Sequence, residues 1–440
     1  MCPKGACAVY TLGCKVSQYD GQVLREMLAA EGITPAAQDV EPSVCLVNSC
    51  AVTARAEQKC RQLVRRLARK HPGAKVIVTG CYAARAADEL SSMSEVSAVI
   101  QPGDTEALRA ILGIPAAVHE YSADHVLWGV ANFHGHARAF LKIQDGCDGT
   151  CSYCIVPSVR PRLQSRPLTE VVDEARRLID NGFREIVLTG VRLGKYGRNL
   201  DSGDSLADAV EAMERLDGLD RFRLSSLEPM EVSPEFLDRA AACSKLCRHL
   251  HLPLQSGSDA TLARMNRPYD SSFFLDLLAL VRDRLPGLAI SADVIAGFPG
   301  ETDSDHARTM EVCGKAGFCR MHVFPFSPRP GTKAELMQPR VLPEVIKARV
   351  ADLTRLGCQT ADAFRASLVG RRLRVLFERQ VADPAETSVL EGYSDEYQRV
   401  RASCPADLIG RAALVVAERL DGDALIGRLC GAMTACGNPA

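Results

Sequence analysis

From residue 140 onward, short apolar runs alternate with helical segments for about 190 residues, and no other feature of the chain restricts its fold as much. The runs FLKIQDGC (140–147), REIVLTG (184–190), RFRLSS (221–226), LHLPL (250–254), LAISADVIAG (288–297) and CRMHVFPF (319–326) read as strands. Repeated βα units of this kind imply a full or partial barrel, with reactive groups at the C-terminal ends of the strands.

The flanking segments read differently. Upstream, ACAVYTL (6–12), VCLVN (44–48) and KVIVTG (75–80) are each followed by a helical pattern, near 18–31, near 54–70 and after 80. That order predicts a small α/β domain with a parallel sheet. Downstream, a helical segment over 343–366 leads to RRLRVLFER (371–379), TSVLEGYS (387–394), YQRVRAS (397–403) and ALVVAERL (413–420). Short strands at turn-like spacing predict a small all-β barrel. The expected α/β chain thus has an N-terminal domain over 1–112, a linker over 113–136, a partial (βα) barrel domain over 137–366 and a β-barrel domain over 367–440.

The formal net charge is -1, so any nucleic-acid surface must be a local patch. No run approaches the roughly 18 apolar residues that span a bilayer, and the first residues are not a basic-then-apolar leader. The expectation is a cytoplasmic protein with no membrane partner. In that reducing compartment 18 cysteines are not a disulfide framework, and the question becomes which of them bind metal.

In IQDGCDGTCSYCIVP (143–157), Cys147, Cys151 and Cys154 lie within eight residues, directly after a predicted strand. Three thiolates can hold three irons of a [4Fe–4S] cluster and leave the fourth open to the amino and carboxylate groups of S-adenosylmethionine (SAM). A structural zinc loop is the competing reading, but it usually asks for a fourth Cys or His in a second knuckle, and none follows nearby. Tyr153 suits a ring packed against SAM. Polar residues at successive strand ends can shape the rest of a SAM pocket: Thr189 and Gly190, then Ser225, Ser226 and Glu228, then His251, Gln255 and Gly297. Strand capping and turn chemistry would use the same residues.

Three further cysteines follow apolar strands in the N-terminal domain: Cys14 in TLGCKVSQYD, Cys50 in VNSCAVT and Cys81 in VTGCYAA. Parallel strands would bring them to one sheet edge, where open α/β sheets bind ligands. Spacings of 35 and 30 intervening residues are equally compatible with three separate buried thiols. Cys243 and Cys247 are four apart in a helical pattern; with no second pair nearby, they read as core.

These segments, together with HLPLQSGSD (251–259), MNRPY (265–269), GFPGET (297–302) and FSPRPGT (326–332), resemble the radical SAM methylthiotransferase family over nearly the whole chain. The resemblance implies a methylthiotransferase domain, a radical SAM barrel and a C-terminal RNA-binding TRAM domain. It implies a second [4Fe–4S] cluster on Cys14, Cys50 and Cys81, facing the first across the substrate. It also implies two uses of SAM: one molecule methylates a sulfur at the auxiliary cluster, and another yields the radical that removes hydrogen from an aromatic carbon. A low-potential donor such as flavodoxin or ferredoxin and a sulfur donor would serve as partners. Ser17 stands where the family usually has asparagine, and Pro161 where glycine is usual after Arg160; neither is a ligand.

Family members modify a hypermodified adenosine beside the tRNA anticodon or a ribosomal-protein aspartate. Lys15 and Val16 after Cys14 resemble the branch acting on N6-threonylcarbamoyladenosine at position 37 of ANN-decoding tRNAs; the isopentenyladenosine and ribosomal-protein branches are the alternatives. Lys15 or Arg192 could pair the threonyl carboxylate. Arg55, Lys59, Arg65 and Arg66 in the basic segment 55–71, and Arg371, Arg372 and Arg374 at the start of the tail, are the candidate RNA contacts. The tail itself has 9 Lys plus Arg against 10 Asp plus Glu, so its RNA role rests on the resemblance. An iron–sulfur electron carrier is the reading from another functional class.

Overall fold

The computed structural model describes residues 6–33, 40–114, 129–133, 135–382 and 388–432. Most of the predicted linker, residue 387 of the second tail strand, Cys2 and Cys436 lie outside these. The N-terminal sheet is parallel, in the order β1 (Cys7–Thr11), β2 (Val44–Ser49), β3 (Lys75–Gly80), β4 (Ala98–Val99). All six residues of β2 are buried, as an interior parallel strand covered on both faces requires. Helix α1 (Lys15–Ala30) starts directly after Cys14. Helix α2 (Ala54–Lys70) is capped by Thr53, whose hydroxyl accepts the Ala56 N–H, and buries Cys60, Leu63, Val64 and Leu67 at helical spacing. The single helix expected after residue 80 is instead α3 (Cys81–Arg85), a second short helix over Ala87–Ser91 and a third over Thr105–Leu112, with β4 between the last two. A two-residue edge strand carries no periodicity to read.

The central domain forms two hydrogen-bonded sheets. One runs β6 (Gln164–Ser165), β5 (Ala139–Asp145), β7 (Glu185–Gly190), β8 (Arg221–Leu224); the other runs β9 (His249–His251), β10 (Ala289–Ala296), β11 (Arg320–Pro325). Parallel bridges from Phe222 to Leu246 and from Ser226 to His251 join β8 to β9, so the strands curve into one partial barrel with free edges at β6 and β11. Strand β9 is shorter than LHLPL suggests, because Pro253 has no N–H for the ladder. The long helix Pro343–Ala366 packs on β11. The C-terminal domain is a closed barrel ordered β12 (Arg372–Ala382), β13 (Val389–Ser394), β14 (Arg399–Ser403), β16 (Ala424–Ala432), β15 (Ala412–Asp421). The sequence pattern missed β16, where Gly427, Arg428 and Gly431 interrupt the apolar alternation.

Two buried charge networks fasten the domains. At the first, Lys142 of β5 donates to Asp20 of α1 at 2.5 Å and to Asp145 at 2.9 Å, while Arg160 reaches Asp145 at 2.7 Å and Asp20 at 2.5 Å. The end of the linker is held beside it: Tyr19 accepts the Gly129 N–H, Glu26 accepts those of Ala131 and Asn132, and Val130 and Phe133 join the core. At the second, Glu185 receives Arg221 at 2.5 Å and Arg223 at 2.8 Å, and both arginines continue to Asp395, Ser394 and Tyr393 of the C-terminal barrel.

Glu185 is fully buried. Burial alone would raise its pKa, but Arg221, Arg223 and Arg138 outweigh burial and hold the carboxyl well below its ordinary 4.5. Removing it takes the shared anion from three buried cations, leaving Arg138 with Glu378, Arg221 with Asp395 and Arg223 with carbonyls only, so Glu185→Ala is expected to destabilise the protein by about 3 kcal/mol at neutral pH. A depressed carboxylate stabilises the fold above its unfolded pKa and loses that contribution as pH falls through the folded value. Melting curves of wild type and variant should therefore converge as the pH is lowered below 4.5.

Candidate active site

Cys14, Cys50 and Cys81 each follow the C-terminal end of one parallel strand, and the chain turns them toward each other. Gly13 has φ +120°, and a side chain there would place its Cβ 2.9 Å from Cys50 Cβ, so the two loops meet only because residue 13 is glycine. Arg160 donates from Nε to Cys81 Sγ at 3.4 Å. Burial, reinforced by Cys14 and Cys81, pushes the Cys50 thiol up to about 11. Ser17 is buried with its Oγ 3.6 Å from Cys14 Sγ, and Pro161 lies on the far side beside Arg160.

Cys147, Cys151 and Cys154 occupy the loop between β5 and a short helix over Val156–Val159. Gly146 opens it at φ +79°, with the Arg162 carbonyl 1.7 Å from where a Cβ would stand. The Gly149 N–H points at Cys147 Sγ, 3.2 Å away, and Arg267 Nη1 lies 3.3 Å from Cys151 Sγ. Burial, with Cys151 and Cys147 adding, pushes Cys154 up to about 12. The MNRPY segment clamps this loop: Ser152 N–H donates to the Met265 carbonyl, and Asn266 Nδ2 donates to Thr150 O and Oγ1. Tyr153 packs edge-on against Phe298 at 6.4 Å, and Glu228 pairs with Arg267.

Both thiol sets fit iron–sulfur clusters. Each gathers three cysteines just beyond strand ends, and each has an arginine donating to one sulfur, a charge-assisted contact that suits a cluster-bound thiolate. A single zinc, about 2.3 Å from each thiolate, would draw the sulfurs within about 4 Å of one another. Among the described residues, the one set of three ligand atoms all within 4.8 Å is His251, Asp293 and His322 instead. Cys243 and Cys247 do not share a site: Cys243 Sγ donates to Arg239 O, and Cys247 Sγ to Asp395.

A cavity of about 460 Å³ connects the two halves. The N-terminal domain contributes Cys14, Lys15 and Gln18; the barrel interior contributes Ser225, Ser226, His249, His251, Asp293, Arg320 and His322; and Tyr397 of the C-terminal barrel forms part of the wall. Ser225 Oγ is buried without a hydrogen-bond partner. Asp293 accepts from His322 Nδ1 at 3.1 Å and lies 3.3 Å from His251 Nε2. Burial would raise Asp293, but the two imidazoles hold it well below the usual carboxylate range. Burial, followed by Arg223, His251, Lys15 and Arg320, keeps His249 neutral well below 6.5.

The other expected SAM contacts sit at strand ends outside the cavity wall: Thr189 and Gly190 pair with β5 opposite Lys142 and Gln144, Gln255 adopts φ +67° after β9, and Gly297 follows β10 with its N–H on Glu301. Arg55, Lys59, Arg65 and Arg66 are exposed on α2. The one acid of that segment, Glu57, is buried between Arg85 and Arg329, so the exposed face is more basic than the count suggests. Arg371 and Arg372 are exposed, whereas Arg374 is engaged with Asp395 at 2.9 Å and with Asp220 O, and braces the two barrels. Arg192 is likewise held by Asp148 and Glu231. Arg160, Arg267, Asp293, Arg320 and His322 were not singled out from the sequence for roles in the site. An inward-facing Asp within the apolar run LAISADVIAG was the one available signal.

A partial βα barrel with a three-cysteine loop after its first strand defines the radical SAM class, and residues 141–313 match the Radical SAM superfamily. Residues 6–101 match the uncharacterized protein family UPF0004. The threonylcarbamoyladenosine tRNA methylthiotransferase MtaB of Bacillus subtilis is 34% identical over 93% of this chain and 92% of its own length. The tRNA-2-methylthio-N(6)-dimethylallyladenosine synthase of Frankia alni is 33% identical over 93% and 84%. The radical SAM methyltransferase TsrM of Kitasatospora setae shares the fold, with a TM-score of 0.56 at 16% identity over 75% of this chain and 74% of that one. The chain belongs to the radical SAM methylthiotransferases and is an MtaB-like tRNA-modifying enzyme. Its cofactors include SAM and a [4Fe–4S] cluster, and tRNA is its partner. No described helix is long and apolar enough to cross a membrane.

Proposed function

We propose that this enzyme inserts a methylthio group at C2 of N6-threonylcarbamoyladenosine at position 37, beside the anticodon of ANN-decoding tRNAs. The observation that carries this reading is the cavity shared by Cys14 and the barrel interior, which gives an extruded base a place beside the N-terminal cysteine set and against the inner face of the barrel. Overall identity does not separate the two tRNA branches, since relatives of both kinds stand within one percentage point. Lys15 does favour one of them: it faces the cavity, and threonylcarbamoyl carries a carboxylate where isopentenyl is apolar.

In this reading Cys147, Cys151 and Cys154 hold the SAM-binding cluster, and Cys14, Cys50 and Cys81 hold the second. When bound, the clusters and SAM supply the electron, the hydrogen-abstracting radical and the methylthio group. The chain supplies position and enclosure. Tyr153, Thr189, Gly190, Ser225, Ser226, Glu228, His251, Gln255 and Gly297 shape the SAM site, with Arg267 fixing both Glu228 and Cys151. Tyr397 closes part of the cavity, and the Lys142–Asp20–Arg160–Asp145 network keeps the two cysteine sets in register. Arg55, Lys59, Arg65, Arg66, Arg371 and Arg372 meet tRNA phosphates. A low-potential flavodoxin or ferredoxin and a sulfur donor complete the turnover.

The test offers anaerobically reconstituted enzyme, SAM, sulfide and reductant to tRNAs carrying either modification, with nucleoside mass spectrometry as the readout. Product is expected on threonylcarbamoyladenosine. A cation in the site disfavours a ligand without the carboxylate by about tenfold, so isopentenyladenosine should give much less product. Methylthiolation of isopentenyladenosine alone would overturn the branch assignment.

A further inference from the structure

We propose that Lys15 and Arg320 together grip the threonyl carboxylate in this cavity and so decide which modified adenosine is accepted; the inference rests on the substrate reading above. Both side chains line the cavity, and neither has a hydrogen bond or ion pair among the described residues. The other charges on its wall are already matched. Arg223 is held by Glu185 and by the Asp395 and Ser394 carbonyls. Asp293 has one carboxylate oxygen facing His322 and the other facing His251, so it is not the counter-ion of Lys15 or Arg320. What remains is a cavity lined by two cations, one from the N-terminal domain and one from β11, that no described anion pairs. Two like charges lining one cavity repel, and an anion bound between them relieves that repulsion.

The same charges decide between this reading and a metal at His251, Asp293 and His322. Those three groups have the composition of a two-histidine, one-carboxylate metal set. A divalent cation there would face Lys15, Arg223 and Arg320 across the cavity, all of which line it. The set is better described as a hydrogen-bonded floor, with the His251 and His322 rings stacked at 5.6 Å. Arg320 also lines a groove against the C-terminal barrel together with Tyr393, Tyr397 and Arg399, so it stands where that groove meets the cavity.

The experiment measures dissociation constants of the reconstituted holoenzyme for three anticodon stem-loop RNAs by fluorescence anisotropy. They are identical except at the modified adenosine, which bears threonylcarbamoyl, its carboxyl methyl ester, or no modification. Wild type is expected to bind the free carboxylate about tenfold more tightly than the ester, in line with a charge-assisted hydrogen bond. Lys15→Met and Arg320→Ala should each bring that ratio to within about twofold, and Arg320→Lys should restore part of it. Lys15→Met retains the apolar stem, and Arg320 is exposed, so neither change opens a core void.

Three results would overturn the proposal: an unchanged ratio in both variants; an equal loss of affinity for all three RNAs, which would assign the cations to backbone phosphate; or stoichiometric Zn²⁺ binding that His322→Ala removes. Failure of wild type to methylthiolate threonylcarbamoyl tRNA would instead strike the substrate reading.

Discussion

Cys151→Ala is expected to reduce SAM cleavage to deoxyadenosine by more than about a thousandfold, equivalent to roughly 4 kcal/mol in barrier. Cys151 sits in the middle of the loop, with Arg267 Nη1 3.3 Å from its sulfur. Without that thiolate the loop offers two ligands, and an open iron cannot be held where SAM would chelate it. The fold should survive, because the loop is anchored elsewhere, by Ser152 on Met265 and Asn266 on Thr150. Deoxyadenosine would be counted by chromatography after reduction with dithionite. Cleavage near the wild-type rate in a folded variant would remove this cysteine set from the chemistry.

Cys81→Ala should act differently. Methylthio product is expected to fall more than a hundredfold, about 2.7 kcal/mol, while SAM cleavage persists, and bound iron should drop from about eight to about four per chain. The separation follows from position: Cys81 begins α3 at the end of β3, in the other domain from the SAM-binding loop. Arg160 loses its sulfur partner in this variant but keeps Asp20 and Asp145, so the brace between the domains stays in place. Equal loss of cleavage and insertion, with native folding, would contradict two separate roles. An iron content of four in wild type, unchanged in the variant, would remove the second cluster altogether.

Much of this site is readable in one dimension, for a local reason. A C-x3-C-x2-C loop places its three ligands within eight residues, so backbone reach alone brings them together whatever the rest of the chain does. The same holds for the long strands, found within a few residues of the expected runs, and for the helix over 343–366, where pattern and structure share both ends. Cys14, Cys50 and Cys81 are a different case. Separated by 35 and 30 residues, they converge only if the three strands are parallel neighbours in the order β1, β2, β3. The sequence alone left that open, and the resemblance to a family supplied the expectation.

What only the tertiary structure decided concerns charge. Along the chain, Arg374, Arg192, Lys15 and Arg320 are equivalent cations, each available for RNA or substrate. In the fold, Arg374 and Arg192 are neutralised by Asp395, Asp148 and Glu231, while Lys15 and Arg320 face one cavity without a counter-ion among the described residues. Glu57 shows the converse, an acid that dilutes a basic segment on paper but turns inward to Arg85 and Arg329. Periodicity and local spacing are properties of neighbours in sequence, and the chain by itself determined the longer strands of the central barrel, the helix over 343–366 and the eight-residue cluster loop. Ion pairing is a through-space property with steep distance dependence, set by residues up to 272 positions apart, and for that reason the partners of each charge became known only when the chain was folded.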